Sequence, residues 1–197
     1  MKVGVLALQG NVPEHLGALR PLLPPGDLLP VRRPEDLARV AALFLPGGES
    51  TTIARLLDKS GLWRPLADRL TEGFPVLGTC AGLILLARKI DPSPGGRDPP
   101  TFGAIDAVVR RNDYGTQRES FEGPVRVEGL GERPFPGVFI RAPRILEVGR
   151  GGAAFAWRDG EVVGVRTGAA WGTTFHPELS GDLRVHRQFL AAIPKGP

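Results

Sequence analysis

A single cysteine, Cys80, stands in the stretch VLGTCAGLILL (Val76–Leu86), between Gly78 and Gly82. The run G-T-C-A-G has the form of a nucleophile elbow, G-x-S-x-G, with sulfur in place of oxygen. That geometry needs small neighbours, because the turn brings strand and helix backbones together. The helix that follows offers free N–H groups and its positive dipole end to the sulfur, which favours the reactive thiolate. The competing reading is a small buried hydrophobe in a tight strand–helix junction, a common fate of free cysteine. The glycine spacing and the strand-to-helix context favour the nucleophile.

A cysteine nucleophile needs a base, and the base needs an orienting group. Of the three histidines, His15 and His186 fall in helical stretches and read as surface residues. His176 closes the apolar run TTF and opens H-P-E. In an extended segment, residues i and i+2 project to one side, so Glu178 would hold one ring nitrogen while the other faces the sulfur. Pro177 restrains the backbone between them. The rival reading is a strand-end histidine beside a helix start, with Glu178 favouring the helix dipole. Acyl transfer also needs donors for a developing oxyanion. The N–H of Ala81 directly follows the thiol. The Gly47-Gly48 turn is the second candidate, because backbone without side chains can approach a reacting carbonyl.

These residues require a scaffold that brings three strand ends to one rim. Apolar strands are expected at Lys2–Leu8, Asp27–Arg32, Ala41–Leu45 and Pro75–Gly78. Helices are expected at Val12–Leu22, Glu35–Val40, Ser50–Leu57, Leu62–Leu70 and Ala81–Lys89. Strand and helix thus alternate four times, the pattern of a parallel sheet covered by helices on both faces. In such sheets ligands bind beyond the carboxyl ends of the strands. There lie Gln9-Gly10, Pro46-Gly47-Gly48 and Gly78–Gly82.

After the Pro/Gly-rich loop Asp91–Thr101 the texture changes to short strands separated by turns: Ala107–Arg110, Val125–Val127, Val138–Ile140, Ala154–Trp157, Val162–Arg166 and Ala170–Phe175. Asp159-Gly160 reads as a hairpin turn within this antiparallel part. Gly181–Ile193 is expected to close the chain as a helix.

With 197 residues the chain fits one domain, 1–197, with a core that needs no staples. One cysteine excludes an internal disulfide and points to an intracellular setting. The opening run MKVGVLALQGNVPEH lacks a cleavage pattern and is too short for a span, which makes a cytoplasmic protein with no membrane partner the expectation. The net charge of +4 is scattered, in basic pairs at most, so nucleic acid is not an expected partner. No metal-ligand spacing is visible, and no cofactor is expected.

LPGGEST (Leu45–Thr51), GTCAG and HPE, in this order, resemble class I glutamine amidotransferase domains. VLALQG (Val5–Gly10), RNDYG (Arg111–Gly115), SFEG (Ser120–Gly123), FIRAP (Phe139–Pro143) and FHPEL (Phe175–Leu179) narrow the resemblance. Together with LPGGESTT they are similar to the glutaminase-subunit family of pyridoxal 5′-phosphate synthases, over essentially the whole chain. The resemblance implies a three-layer, flavodoxin-like α/β sandwich with a mostly parallel central sheet and extra antiparallel strands in the C-terminal half. It implies hydrolysis of L-glutamine to glutamate and ammonia through a cysteine thioester. The ammonia would serve a (β/α)₈-barrel synthase subunit in a hetero-oligomeric complex.

On this resemblance Cys80, His176 and Glu178 match the catalytic triad. Gly48, Glu49 and Ser50 match the glutamine-binding loop, and Arg111, Ile140 and Arg141 match the remaining substrate contacts. It further implies that the Gly47-Gly48 turn is misoriented until the partner docks. Thr116 and Asp113 depart from the pattern, standing where arginine and a small residue are usual. The alternatives are a glutaminase subunit of another synthase, a cysteine-elbow protein of the chaperone/deglycase type, and a non-catalytic subunit that regulates a partner. FIRAP and RNDYG speak against the first, the Gly-Gly loop and HPE against the second, and the full Cys/His/Glu set against the third.

Overall fold

A computed structural model describes residues 1–92, 98–111 and 120–194. The first half alternates as expected: β1 (Val3–Leu6), α1 (Val12–Leu19), β2 (Leu28–Val31), α2 (Pro34–Leu37), β3 (Ala42–Leu45), α3 (Ser50–Lys59), α4 (Trp63–Thr71), β4 (Val76–Thr79) and α5 (Ala81–Leu86). The second half is mostly strand: β5 (Ala87–Asp91), β6 (Ile105–Arg110), β7 (Phe121–Val127), β8 (Phe135–Phe139), β9 (Arg144–Val148), β10 (Ala153–Arg158), β11 (Glu161–Thr167) and β12 (Ala170–Thr173), followed by α6 (Arg184–Ala192).

A nine-stranded sheet runs in the order β2-β1-β3-β4-β12-β11-β10-β7-β8. From β2 to β12 neighbouring strands are parallel. From β12 to β8 they are antiparallel. The parallel part has the flavodoxin order, with β12 as fifth strand. β1, β3, β4 and β12 are buried at every position, so they read as continuous apolar or small-residue runs rather than alternating ones. Alternation survives as a division between two cores. Leu43 and Leu45 of β3 face the cluster under α3, α4 and α5, while Ala42 and Phe44 face the cluster under α1 and α6. The sheet is therefore the middle layer of a three-layer sandwich. Among the described residues no helix is long and apolar enough to cross a membrane.

Several element boundaries differ from the sequence reading. The helix expected over Ala81–Lys89 ends at Leu86, and the chain continues as β5. There Ala87 and Ile90 are buried, while Arg88 projects outward to Asp106 (3.1 Å) and Glu147 (2.9 Å). β5 pairs with β6, and β6 with β9, in a second sheet of three strands. Neither β5 nor β9 was expected, because their side chains follow sheet pairing rather than local propensity. The helix expected over Val12–Leu22 tightens after Leu19 into a 3₁₀ turn containing Pro21. The last helix begins at Arg184, not Gly181. At Asp159-Gly160 both residues have positive φ (49° and 82°), the type I′ geometry that joins β10 to β11.

Candidate active site

The carboxyl ends of β1, β3, β4 and β12 meet at one rim. Cys80 leaves β4 with φ 50° and ψ −102°, a strained conformation for a residue with a Cβ. Hydrogen bonds hold it on both sides: its N–H donates to Thr173 O (2.8 Å), and Ile84 N–H donates to its carbonyl (3.2 Å). The flanking glycines permit the turn. A Cβ on Gly78 would lie 2.5 Å from the Gly82 carbonyl carbon, and one on Gly82 would collide with the Leu45 carbonyl. Among the described residues Cys80, Arg141 (φ 42°) and Asp159 are the non-glycine residues with positive φ. The first two line one cleft, and the third is in the hairpin turn.

That cleft measures about 280 Å³. This is near the lower end of small-molecule sites, which span about 300–1,000 Å³. Cys80, His176, Gly48, Glu49, Ser50, Arg111, Ile140 and Arg141 all line it. Gly47 and Ala81 are buried and do not line it. A Cβ on Gly47 would collide with the His176 ring and stand 3.3 Å from Cys80 Cβ. The turn thus needs glycine to sit against both side chains. The Cys80 thiol donates a long bond to Ile140 O (3.8 Å). Glu49 caps α3 by accepting from Thr51 N–H (3.0 Å) and Thr52 N–H (2.6 Å), and Arg111 Nη2 reaches it at 3.3 Å. Asn112–Gly115, and with them the departures Asp113 and Thr116, lie outside the described residues.

His176 follows β12, and its Nδ1 donates to Glu178 Oε1 at 2.7 Å. The two side chains do not meet through an extended segment. β12 stops at Thr173, and Pro177–Leu179 forms a 3₁₀ turn that brings the carboxylate round to the ring. Burial alone would suppress the charge on His176. A hydrogen bond with Cys80, together with the hydrogen bond and charge of Glu178, outweighs it and lifts the pKa to about 10. Burial likewise opposes charge on Glu178, but His15 and the bond to His176 hold its pKa down at about 2. With its pKa raised in this way, His176 offers the sulfur a positive charge, beside the N-terminus of the six-residue helix α5.

His15 and His186 are not surface residues: both are fully buried. His15 Nε2 lies 3.1 Å from Thr79 Oγ1 and 3.4 Å from Glu178 Oε1. His186 stacks on Phe44 at 5.7 Å. Three polar residues at the site escaped the sequence reading. Asn11 Nδ2 donates to Glu178 Oε1 (3.2 Å), and its backbone N–H donates to Gly47 O (3.0 Å). Thr79 Oγ1 accepts from Gly47 N–H (3.0 Å). Gln9 Oε1 accepts from Glu49 N–H (3.0 Å). Their place at strand ends beside the three glycine turns was the available signal.

Such an arrangement suits acyl transfer: a sulfur at an elbow, an imidazole proton beside it, and a buried carboxylate behind. A model of the SNO glutamine amidotransferase family matches residues 5–195. The chain is 54% identical over 192 residues to the pyridoxal 5′-phosphate synthase subunit PdxT of Streptomyces coelicolor, covering 97% of this chain and 93% of that one. It is 45% identical over 193 residues to the PdxT subunit of Thermotoga neapolitana, covering 98% and 100%. The crystal structure of a glutamine amidotransferase superposes with a TM-score of 0.89 at 43% identity, covering 98% of this chain and 99% of that one. A glutamine amidotransferase from Thermotoga maritima, at 19% identity and a TM-score of 0.57 over 90% of this chain and 77% of that one, shares the fold.

Proposed function

The chain belongs to the SNO glutamine amidotransferase family, and from that premise we propose that it is the glutaminase subunit of a pyridoxal 5′-phosphate synthase. It hydrolyses L-glutamine to L-glutamate and ammonia, and a (β/α)₈ synthase subunit receives the ammonia. The observation that carries the reading is the strained Cys80 at the cleft floor beside a His176 bonded to Glu178.

In this reading the Cys80 thiolate attacks the side-chain carboxamide carbon of glutamine. The carbonyl oxygen gains the negative charge and is met by the N–H of Ala81 and by the Gly47-Gly48 turn. His176 gives its proton to the amide nitrogen, the C–N bond breaks, and ammonia leaves a thioester on Cys80. His176 then takes a proton from water, whose oxygen attacks the thioester. The C–S bond breaks, glutamate forms and the thiolate returns. Glu178 fixes the ring and stabilises its charged form. Gly48, Glu49, Ser50, Arg111, Ile140 and Arg141 hold the substrate, with arginine suited to the α-carboxylate. The Asn11 N–H pins the Gly47 carbonyl. In this reading the donor orientation of the turn changes when the synthase docks, and activity depends on the complex.

The test is ammonia release from glutamine with and without a synthase subunit of this class. Wild type is expected to release ammonia in the complex, and Cys80→Ala to release none while keeping its fold and its assembly. Undiminished release by Cys80→Ala would overturn the assignment.

A further inference from the structure

Behind Glu178, away from the sulfur, lies a polar cluster that glutamine hydrolysis does not consume. Thr79 and His15 are both fully buried. Thr79 Oγ1 has three polar neighbours: Gly47 N–H at 3.0 Å, His15 Nε2 at 3.1 Å and Glu178 Oε1 at 3.5 Å. A hydroxyl offers one proton and two acceptor sites. The Gly47 N–H can only donate, and the Glu178 carboxylate can only accept. The network closes when His15 donates through Nε2–H and Thr79 passes its own proton towards Glu178. His15 Nδ1 then carries the lone pair. It has no hydrogen-bond partner among the described residues, an easier fate for an acceptor than for an N–H.

Asn11 supplies the other half of the frame. Its backbone N–H holds Gly47 O at 3.0 Å, and its side chain donates to Glu178 Oε1 at 3.2 Å. Both backbone polar groups of Gly47 are therefore tied to Glu178 through one intermediary each, the N–H through Thr79 and the carbonyl through Asn11. A valine at position 79 would fill the same volume and pair equally well with Thr173 of β12. The β-branched shape accounts for the strand, and the buried hydroxyl is left for the site.

We propose that Thr79, its hydroxyl oriented by His15, is a positioning residue that ties the Gly47 turn to Glu178 and so sets the oxyanion donors and the His176–Glu178 pair in register. This inference rests on the glutaminase reading. The charged and titratable groups around the network are His176 and His15 facing Glu178, and Glu178, His176, His186 and Glu14 facing His15.

The experiment compares Thr79→Val, Thr79→Ser, His15→Phe and His15→Gln, each assembled with the synthase and checked for an unchanged thermal midpoint. Thr79→Val and His15→Phe are expected to lower kcat for ammonia release by about 10- to 100-fold, the rate equivalent of one lost hydrogen bond to a charged network, with KM within about twofold. Thr79→Ser and His15→Gln restore the hydroxyl and the N–H, and should stay within about threefold of wild type. A second readout needs no glutamine: the pH dependence of Cys80 alkylation by iodoacetamide in the isolated chain. It should shift in Thr79→Val and not in Thr79→Ser. If Thr79→Val matches wild type while Cys80→Ala is dead, the inference fails and the glutaminase reading stands. If Thr79→Ser is as slow as Thr79→Val, packing rather than the hydroxyl is responsible, and the inference again fails. If wild type releases no ammonia with any synthase, the glutaminase reading fails, and an alkylation profile unmoved by Thr79→Val would overturn the positioning role as well.

Discussion

His176 and His186 are both buried and both feel the charge of Glu178, but their surroundings differ. His176 has a thiol on one flank and a carboxylate on the other, and its pKa rises to about 10. His186 has Phe44 stacked on its face, His15 at its edge and no hydrogen-bond partner for either ring nitrogen among the described residues. Burial and the neighbouring His15 push its pKa down to about 4, with Glu178 only partly opposing them. Burial alone therefore makes a neutral ring, and a charged ring has to be assembled from partners. The partners arrive from separate elements: Cys80 from the β4–α5 elbow, and Glu178 from the turn after β12.

The sharpest way to break the contrast is to remove the carboxylate. Glu178→Gln keeps the shape but leaves His176 Nδ1 facing an amide that can donate as well as accept. The ring loses the partner that fixes its tautomer and stabilises its charge. Ammonia release by the assembled complex should fall by about 10³- to 10⁴-fold in kcat, the scale seen when a triad carboxylate becomes an amide. An NMR titration of the His176 Cε1–H should show its pKa lowered towards the ordinary histidine value. A His176 that still titrates near its original position would mean that the sulfur alone sustains the charge.

The same contrast shows what the sequence discloses. G-T-C-A-G, the Gly47-Gly48 turn and H-P-E were legible, because each carries a local constraint: close backbone approach, side-chain-free backbone, a fixed proline. The parallel half was legible for a related reason, since strands buried on both faces cannot hide among polar residues. His15 and His186 run against the surface expectation because a polar residue type in a helix does not by itself mark a polar face. Yet His186 lies next to Val185 and three residues before Phe189, on the buried side of α6. His15 precedes Leu19 by one helical turn in α1. The helical period carried the signal, and residue type obscured it. Asn11 and Thr79 could not be read in the same way. Their role depends on Gly47 lying between them, which only the order β1-β3-β4 brings about.

A smaller effect, on stability rather than rate, separates the two histidines by pH. The His176 pKa is raised, so its stabilising contribution is complete below about pH 6.5, drains as pH rises from there and is gone above about 10. The Glu178 pKa is lowered to about 2, so its contribution is complete above about pH 4.5 and is lost below that. Between about pH 4.5 and 6.5 both are constant. The His186 pKa is lowered to about 4, so its contribution is present above about pH 6.5 and drains as pH falls through 4. The His15 pKa is lowered too, and its contribution drains on the same acid side. His186→Phe replaces a ring with two unpartnered nitrogens by one that stacks on Phe44 without them. At pH 8 its urea-unfolding free energy should equal or exceed that of wild type. From pH 6.5 to 4.5 wild type should lose about 2 kcal/mol more than the variant, the linkage expected over that window for a histidine held about 2.5 pKa units low. Parallel curves over that window would show that His186 takes up its proton without cost, and the contrast with His176 would then be one of chemistry alone.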